Sequence, residues 1–166
     1  MSHPVKVRGP KPGQPVVLVA EDEPLVLKVI QIALEAEGYF VFTADNGEEA
    51  LTLSRRFRGA IHLLVSDIIM PVMSGTKLRQ TMLRERPEVK VLLISGQVDS
   101  PSKNIPFLRK PFHPSALKER VQALLSSTDG CLTSGPAIQD RLAATGTNGP
   151  AATRHAANLS VTRTTP

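Results

Sequence analysis

Leu63-Leu64-Val65-Ser66-Asp67-Ile68-Ile69-Met70-Pro71-Val72-Met73-Ser74-Gly75 is the stretch whose reading decides the fold. Ile61, Leu63, Leu64 and Val65 form a short apolar run, which predicts a strand covered on both faces. Asp67 ends that run. Pro71 and Gly75 punctuate the chain beyond it, so Asp67 falls at a strand-to-loop junction. In open parallel sheets, ligands and chemistry gather at the carboxyl ends of strands. Taken alone, Asp67 is an ordinary loop or helix-capping aspartate. The sequence on either side of it gives it a role.

Upstream, Val16 to Ala20 is wholly apolar and predicts a first buried strand, which ends on Glu21-Asp22-Glu23. Pro24 suits the first turn of a helix, where no amide donor is needed. Leu25, Val26, Val29, Ile30, Ala33 and Leu34 recur at helical spacing as far as Gly38, a C-terminal stop. Tyr39 to Ala44 predicts a second strand. A second helix starts at Asn46-Gly47, with Glu48 and Glu49 in its first turn and Arg55, Arg56 and Arg58 at its end, charges that match the helix dipole. Downstream, Thr76 to Arg86 predicts a third helix that stops before Pro87. Val89 to Ser95 predicts a fourth strand, Ile105 to Leu108 a short fifth strand, and Pro114 to Leu125 a last amphipathic helix. Alternating strands and helices imply an α/β fold with a parallel sheet and right-handed crossovers.

The 166 residues set one domain as the prior, with chain to spare. Residues 1–13 hold Pro4, Gly9, Pro10, Pro12 and Gly13 and read as a flexible leader. They carry no apolar core of a secretory signal. Residues 14–125 form the domain. From Ser126 onward, 26 of 41 residues are Ala, Thr, Ser, Gly or Pro, a composition that predicts a disordered tail with no DNA-binding output domain. The net charge of +5 owes three charges to the leader, so no nucleic-acid-binding stripe is indicated. No apolar run reaches the roughly 18–20 residues of a membrane span. The lone Cys131 has no partner for a disulfide and no metal-ligand spacing, which makes a cytoplasmic setting the expectation.

Four predicted strand ends carry polar groups: Glu21-Asp22, Asp67, Ser95 and, after the fifth strand, Lys110. A parallel sheet brings these ends to one edge. Three clustered carboxylates repel one another unless a cation sits among them, and a hard divalent ion with oxygen ligands, Mg²⁺, fits. Beside such an ion Asp67 stays ionised and can act as a nucleophile. A phosphoryl group is its natural electrophile, because a metal, a lysine and a hydroxyl donor together stabilise transferring phosphoryl oxygens.

On these residues the chain resembles a response-regulator receiver domain of two-component signalling. The matching motifs are Val16-Val17-Leu18-Val19-Ala20-Glu21-Asp22-Glu23, Ser66 to Gly75, Leu93-Ile94-Ser95-Gly96 and Lys110-Pro111-Phe112. The resemblance implies a flavodoxin-like, doubly wound five-stranded sheet of order 2-1-3-4-5. It implies that Asp67 accepts a phosphoryl group from a sensor histidine kinase or a histidine phosphotransfer protein. Glu21 and Asp22 would be the acid pair, Asp22 standing where the direct Mg²⁺ ligand is expected. The backbone carbonyl of Ile69 would complete the protein's share of the metal shell. Ser95 would meet a phosphoryl oxygen and Lys110 would pair with that oxygen or with Asp67, with Lys110-Pro111 in cis. Ser95 and Phe107 would be the switch pair. A phosphorylation-dependent homodimer is one output the family uses.

Two departures stand out. The interval from Ser95 to Lys110 is short by about two helical turns of 3.6 residues, so the helix of the fourth crossover is expected to be shortened or absent. Phe107 stands where many receivers have tyrosine, so aromatic packing remains without a hydroxyl. A signalling switch rather than a turnover enzyme is the expectation. One alternative is a phosphorylation-independent pseudo-receiver adaptor, favoured by the odd fourth crossover. Another, an aspartyl-nucleophile phosphatase, is opposed by Ile69 standing where a second aspartate would be needed.

Overall fold

The computed structural model describes residues 9–96 and 105–127. Nine elements alternate: β1 (Val16–Ala20), α1 (Pro24–Ala36), β2 (Phe40–Ala44), α2 (Gly47–Arg56), β3 (Leu63–Asp67), α3 (Gly75–Glu85), β4 (Lys90–Ser95), β5 (Phe107–Arg109) and α4 (Pro114–Ser126). The five strands form one parallel sheet of order β2-β1-β3-β4-β5. The chain therefore reverses its winding direction at β1, and a crevice opens beyond the carboxyl ends of β1 and β3.

The sheet is buried on both faces because its central strands carry no polar alternation. Every residue of β1 and β3 is buried. One core cluster joins Val16, Leu18 and Leu64 to Leu78 and Met82 of α3 and to Ala50 and Leu51 of α2. The other joins Val17, Val19, Leu63, Val65 and Ile94 to Ile30 and Leu34 of α1 and to Leu117 and Val121 of α4. Successive strand residues face opposite ways, so each strand feeds both clusters.

Local signals set the helix ends. Asn46 caps α2 through its side chain, accepting from the amides of Glu48 and Glu49. Ser74 caps α3 and His113 caps α4. Gly38, at φ 87°, takes the left-handed turn that ends α1, and its amide bonds back to the Glu35 carbonyl. Arg86, just past α3, ties α3 to the end of α2. Its guanidinium donates to the Ser54 hydroxyl and to the carbonyls of Ser54, Phe57 and Gly59 at 2.6–2.9 Å.

The last strand corrects the sequence reading. It runs from Phe107 to Arg109 rather than from Ile105, in register with Leu93 to Ser95. Pro106 has no amide to give to the ladder, and only its carbonyl takes part, accepting from Leu93 N. The expected shortening of the helix between β4 and β5 concerns residues 97–104, which lie outside the described residues. Most of the leader and the segment 128–166 lie outside them too. Of the leader, Lys11 is tied to the domain: its amide donates to Gln14, whose side-chain amide in turn donates to the Gly38 carbonyl.

Candidate functional site

The register of the sheet brings the predicted residues together. Ala20 pairs with Ser66 across β1 and β3, so Glu21 and Asp67 leave the sheet side by side. Asp67 pairs with Ile94 and Ser95 with Arg109, which places the hydroxyl residue and Lys110 at the same edge. One carboxylate oxygen from each of Glu21, Asp22 and Asp67 lies within 4.8 Å of the others. Glu21 and Asp67 are buried, while Asp22 is exposed at the mouth.

Lys110 reaches into this cluster. Its ammonium lies 2.5 Å from Asp67 Oδ2 and 2.8 and 2.7 Å from the two oxygens of Glu21. The other oxygen of Asp67, Oδ1, accepts from the Ile69 amide at 3.1 Å. Asp67 is thus aimed by one side chain and one backbone donor. The Lys110 amide donates to the Ser95 carbonyl at 2.8 Å, and the Lys110-Pro111 bond is cis. Ser95 is buried at the end of β4. Phe107 is half-buried and packs on the cluster beneath α2 and α3. Among the described residues, a β-carbon at Gly96 would meet only Lys110 Cβ, at 4.0 Å.

The electrostatics follow from burial. Glu21, only 1% exposed, has its pKa raised: burial is the main cause, opposed by the hydrogen bond and charge of Lys110, while the charge of Asp67 adds to the rise. Burial alone would lower the pKa of Lys110. The hydrogen bonds to Asp67 and Glu21, and their charges, outweigh it and hold the ammonium above its ordinary value. Glu21 Oε2 is buried and meets only the Lys110 ammonium, as an ion pair at 2.7 Å rather than a directed hydrogen bond. Three carboxylates with oxygens within 4.8 Å of one another, one of them open to solvent, are the donor set a hard divalent cation takes.

Two residues that shape the site were given no role in it from the sequence. Ser66, fully buried, donates its hydroxyl to the Asp67 carbonyl at 2.8 Å. Gly75 lies so close that a β-carbon there would sit 1.9 Å from the same carbonyl. Their signal was present as Ser next to Asp67 and Gly at the start of α3, but only the folded loop shows that they touch.

A parallel sheet of this order gathers three acids and a lysine at its switch point, where α/β folds place their sites. A family model for the response regulator receiver domain matches residues 17–122, and the chain belongs to that family. Among curated relatives, the chain is 34% identical over 124 residues to the sensor kinase CckA of Brucella abortus, matching 70% of this chain and 13% of that protein. It is 34% identical over 125 residues to a probable transcriptional regulatory protein, TcrX, of Mycobacterium tuberculosis, matching 70% of this chain and 52% of that one. The chain therefore spans at most about half the length of these relatives. Among solved structures, the receiver domain of the hybrid histidine kinase CckA superposes with a TM-score of 0.60 at 37% identity, covering 66% of this chain and 98% of that one. The response regulator TrrA of Thermotoga maritima, in complex with Mg²⁺ and BeF, gives 0.59 at 30% identity over 67% of this chain and 99% of that one. No helix among the described residues is long and apolar enough to cross a membrane.

Proposed function

We propose that the chain is a phosphoacceptor receiver of a cytoplasmic phosphorelay, taking a phosphoryl group onto Asp67 from a histidine kinase or a histidine phosphotransfer protein. The observation that carries this reading is the convergence of Glu21, Asp22 and Asp67 within 4.8 Å, with Lys110 bonded to Asp67. A phosphorylation-independent adaptor has no need of that set.

Glu21, Asp22, Asp67 and the Ile69 carbonyl would hold Mg²⁺, which supplies positive charge to the transferring phosphoryl oxygens. The remaining work belongs to the side chains. Lys110 and the Ile69 amide each hold one oxygen of Asp67 and so fix the orientation of its carboxylate. An Asp67 oxygen bonds to phosphorus as the phosphorus–nitrogen bond of the donor histidine breaks, and that electron pair returns to the imidazole. Lys110 and the Ser95 hydroxyl then stabilise the oxygens of the new acyl phosphate. Ser95 and Phe107 carry the change to the β4–β5 surface, so the domain acts as a switch rather than a turnover enzyme.

The donor also needs a surface. Leu25, Val29 and Ile32 of α1 are 77%, 47% and 55% exposed and lie at helical spacing i, i+4 and i+7. Beside them a groove of about 570 Å³ runs past Val26, Pro111 and Phe112 to Lys110 and Gly96. This groove, which ends at Lys110, is the surface we assign to the protein that delivers a phosphoryl group to Asp67. The stripe spacing fits a histidine-bearing helix.

Incubation with acetyl phosphate, read by intact mass, tests the reading. A single phosphoryl adduct is expected with Mg²⁺, with none in excess chelator and none in Asp67→Asn. An adduct that persists in Asp67→Asn, or that forms equally without Mg²⁺, overturns it.

A further inference from the structure

Asp67 is aimed by Lys110 and the Ile69 amide at its carboxylate end, but its backbone must also be held. β3 ends at Asp67, and beyond it the chain turns sharply: Ile68 N donates to the Ile94 carbonyl, and Gly75 N donates to the Ile68 carbonyl. The Asp67 carbonyl therefore lies at the neck of a loop that closes on itself between Ile68 and Gly75. It is met there by the Ser66 hydroxyl at 2.8 Å. Ser66 has no solvent exposure, so water does not stand in for that donor. Gly75 presses the same carbonyl so closely that an added β-carbon would be 1.9 Å from Asp67 O and 2.6 Å from Ser66 Oγ. The three groups form one close contact at the backbone of the acceptor.

We infer that Ser66 is a positioning residue for the phosphoacceptor: its buried hydroxyl, donating to the Asp67 carbonyl against Gly75, fixes the peptide from which the carboxylate projects. This rests on the proposed role of Asp67. A buried carbonyl that loses its side-chain donor rotates or shifts to find another. Rotation of that peptide moves Asp67 relative to Ile69, whose amide sits two residues on and holds Oδ1. Misplacement of a nucleophile by a fraction of an ångström slows transfer without removing any group that touches the phosphoryl.

Two readouts on Ser66→Ala, with Ser66→Cys as the near-isosteric weak donor, test this. Native-state amide exchange is read at Ile69 and at core amides of β3 and β4, such as Val65 and Leu92. Acyl phosphate formation from acetyl phosphate is read by intact mass, with Mg²⁺ affinity from titration calorimetry as its control. The expected result is selective loss of protection at Ile69, with the core amides unchanged. Phosphorylation should slow about fivefold, the scale of one hydrogen bond, with Mg²⁺ affinity within about twofold of the parent and Ser66→Cys in between. Ile69 protection and phosphorylation rate equal to the parent in both variants would overturn the inference. So would parallel loss of protection throughout β3 and β4, which marks general loosening. A parent chain that forms no adduct overturns the receiver reading instead, and the Ile69 exchange arm still decides whether Ser66 holds the loop.

Discussion

A carboxylate taken out of water needs a compensating charge, and Glu21 shows how the site manages this. Its burial raises its pKa more than Lys110 lowers it, so ionising Glu21 costs stability in the metal-free protein. The sign comes from linkage. A group with a raised folded pKa contributes stability that is full below its unfolded pKa, near 4.5 for glutamate, and is lost as pH rises through the folded value. Glu21→Gln keeps the shape and removes the charge. In chelator, thermal unfolding of the variant relative to the parent should therefore improve as pH rises from about 4.5 toward 8. Adding Mg²⁺ should stabilise the parent and reverse much of the gap, because a ligand that binds only the folded state adds to its stability. A variant that loses ground to the parent with rising pH in chelator would show that Lys110 already neutralises the cluster, leaving no role for a cation in its stability.

At the scale of elements, α1 is unusual in being apolar on two faces. Ile30, Ala33 and Leu34 face the sheet, while Leu25, Val29 and Ile32 face outward. A solvent-facing helix normally shows polar residues there, and this stripe is the surface the proposed function assigns to the phosphoryl donor. Val29→Glu should slow phosphotransfer from a phosphorylated histidine phosphotransfer protein that labels the parent by at least about tenfold, the loss typical of a central interface residue. Labelling by acetyl phosphate should stay unchanged, because the small donor does not touch α1. Equal slowing with both donors would place the defect in the fold rather than in docking. The elements themselves were largely legible. Apolar runs mark β1 and β3, and Asn46 and Gly38 mark helix ends, because these signals act within a few residues. The convergence of Glu21, Asp22, Asp67 and Lys110 was legible for a different reason: a parallel sheet sends every strand end to the same edge. Three features were not. The true start of β5 depends on which residues pair with Leu93 and Ile94 across the sheet. The Ser66–Asp67–Gly75 contact depends on how tightly the loop after β3 closes. Arg86 was likewise hidden, since its partners lie 27 to 32 residues away.

Among the described residues, the two core clusters extend as far as α4. Leu117 and Val121 of α4 are fully buried, and Leu124 and Leu125 pack against the same cluster. The end of α4 is closed by the domain's own groups. Lys90, at the start of β4, donates to the Leu124 carbonyl at 2.6 Å and to that of Ser127, satisfying carbonyls that a helix end otherwise leaves bare. The Ser127 hydroxyl adds a bond to the Ala123 carbonyl at 2.7 Å. Residues 128–166 offer few large apolar side chains with which to extend this core. A chain ending at Ser127 should therefore unfold within about 1 kcal/mol of the full chain, the scale of ordinary surface changes. It should also keep its Mg²⁺-dependent labelling at Asp67. Urea unfolding of the two proteins side by side reads the first expectation, since the midpoint shifts only if stability changes while the slope reports surface exposed. A larger loss of stability, or a steeper slope for the full chain, would mean that the segment beyond Ser127 buries surface of its own, and the domain would then have to be redrawn to include it. Lys90→Met offers the internal control. It removes the clamp on α4 while leaving the segment in place, so a loss there with none on truncation would locate the end of the folded unit at Ser127.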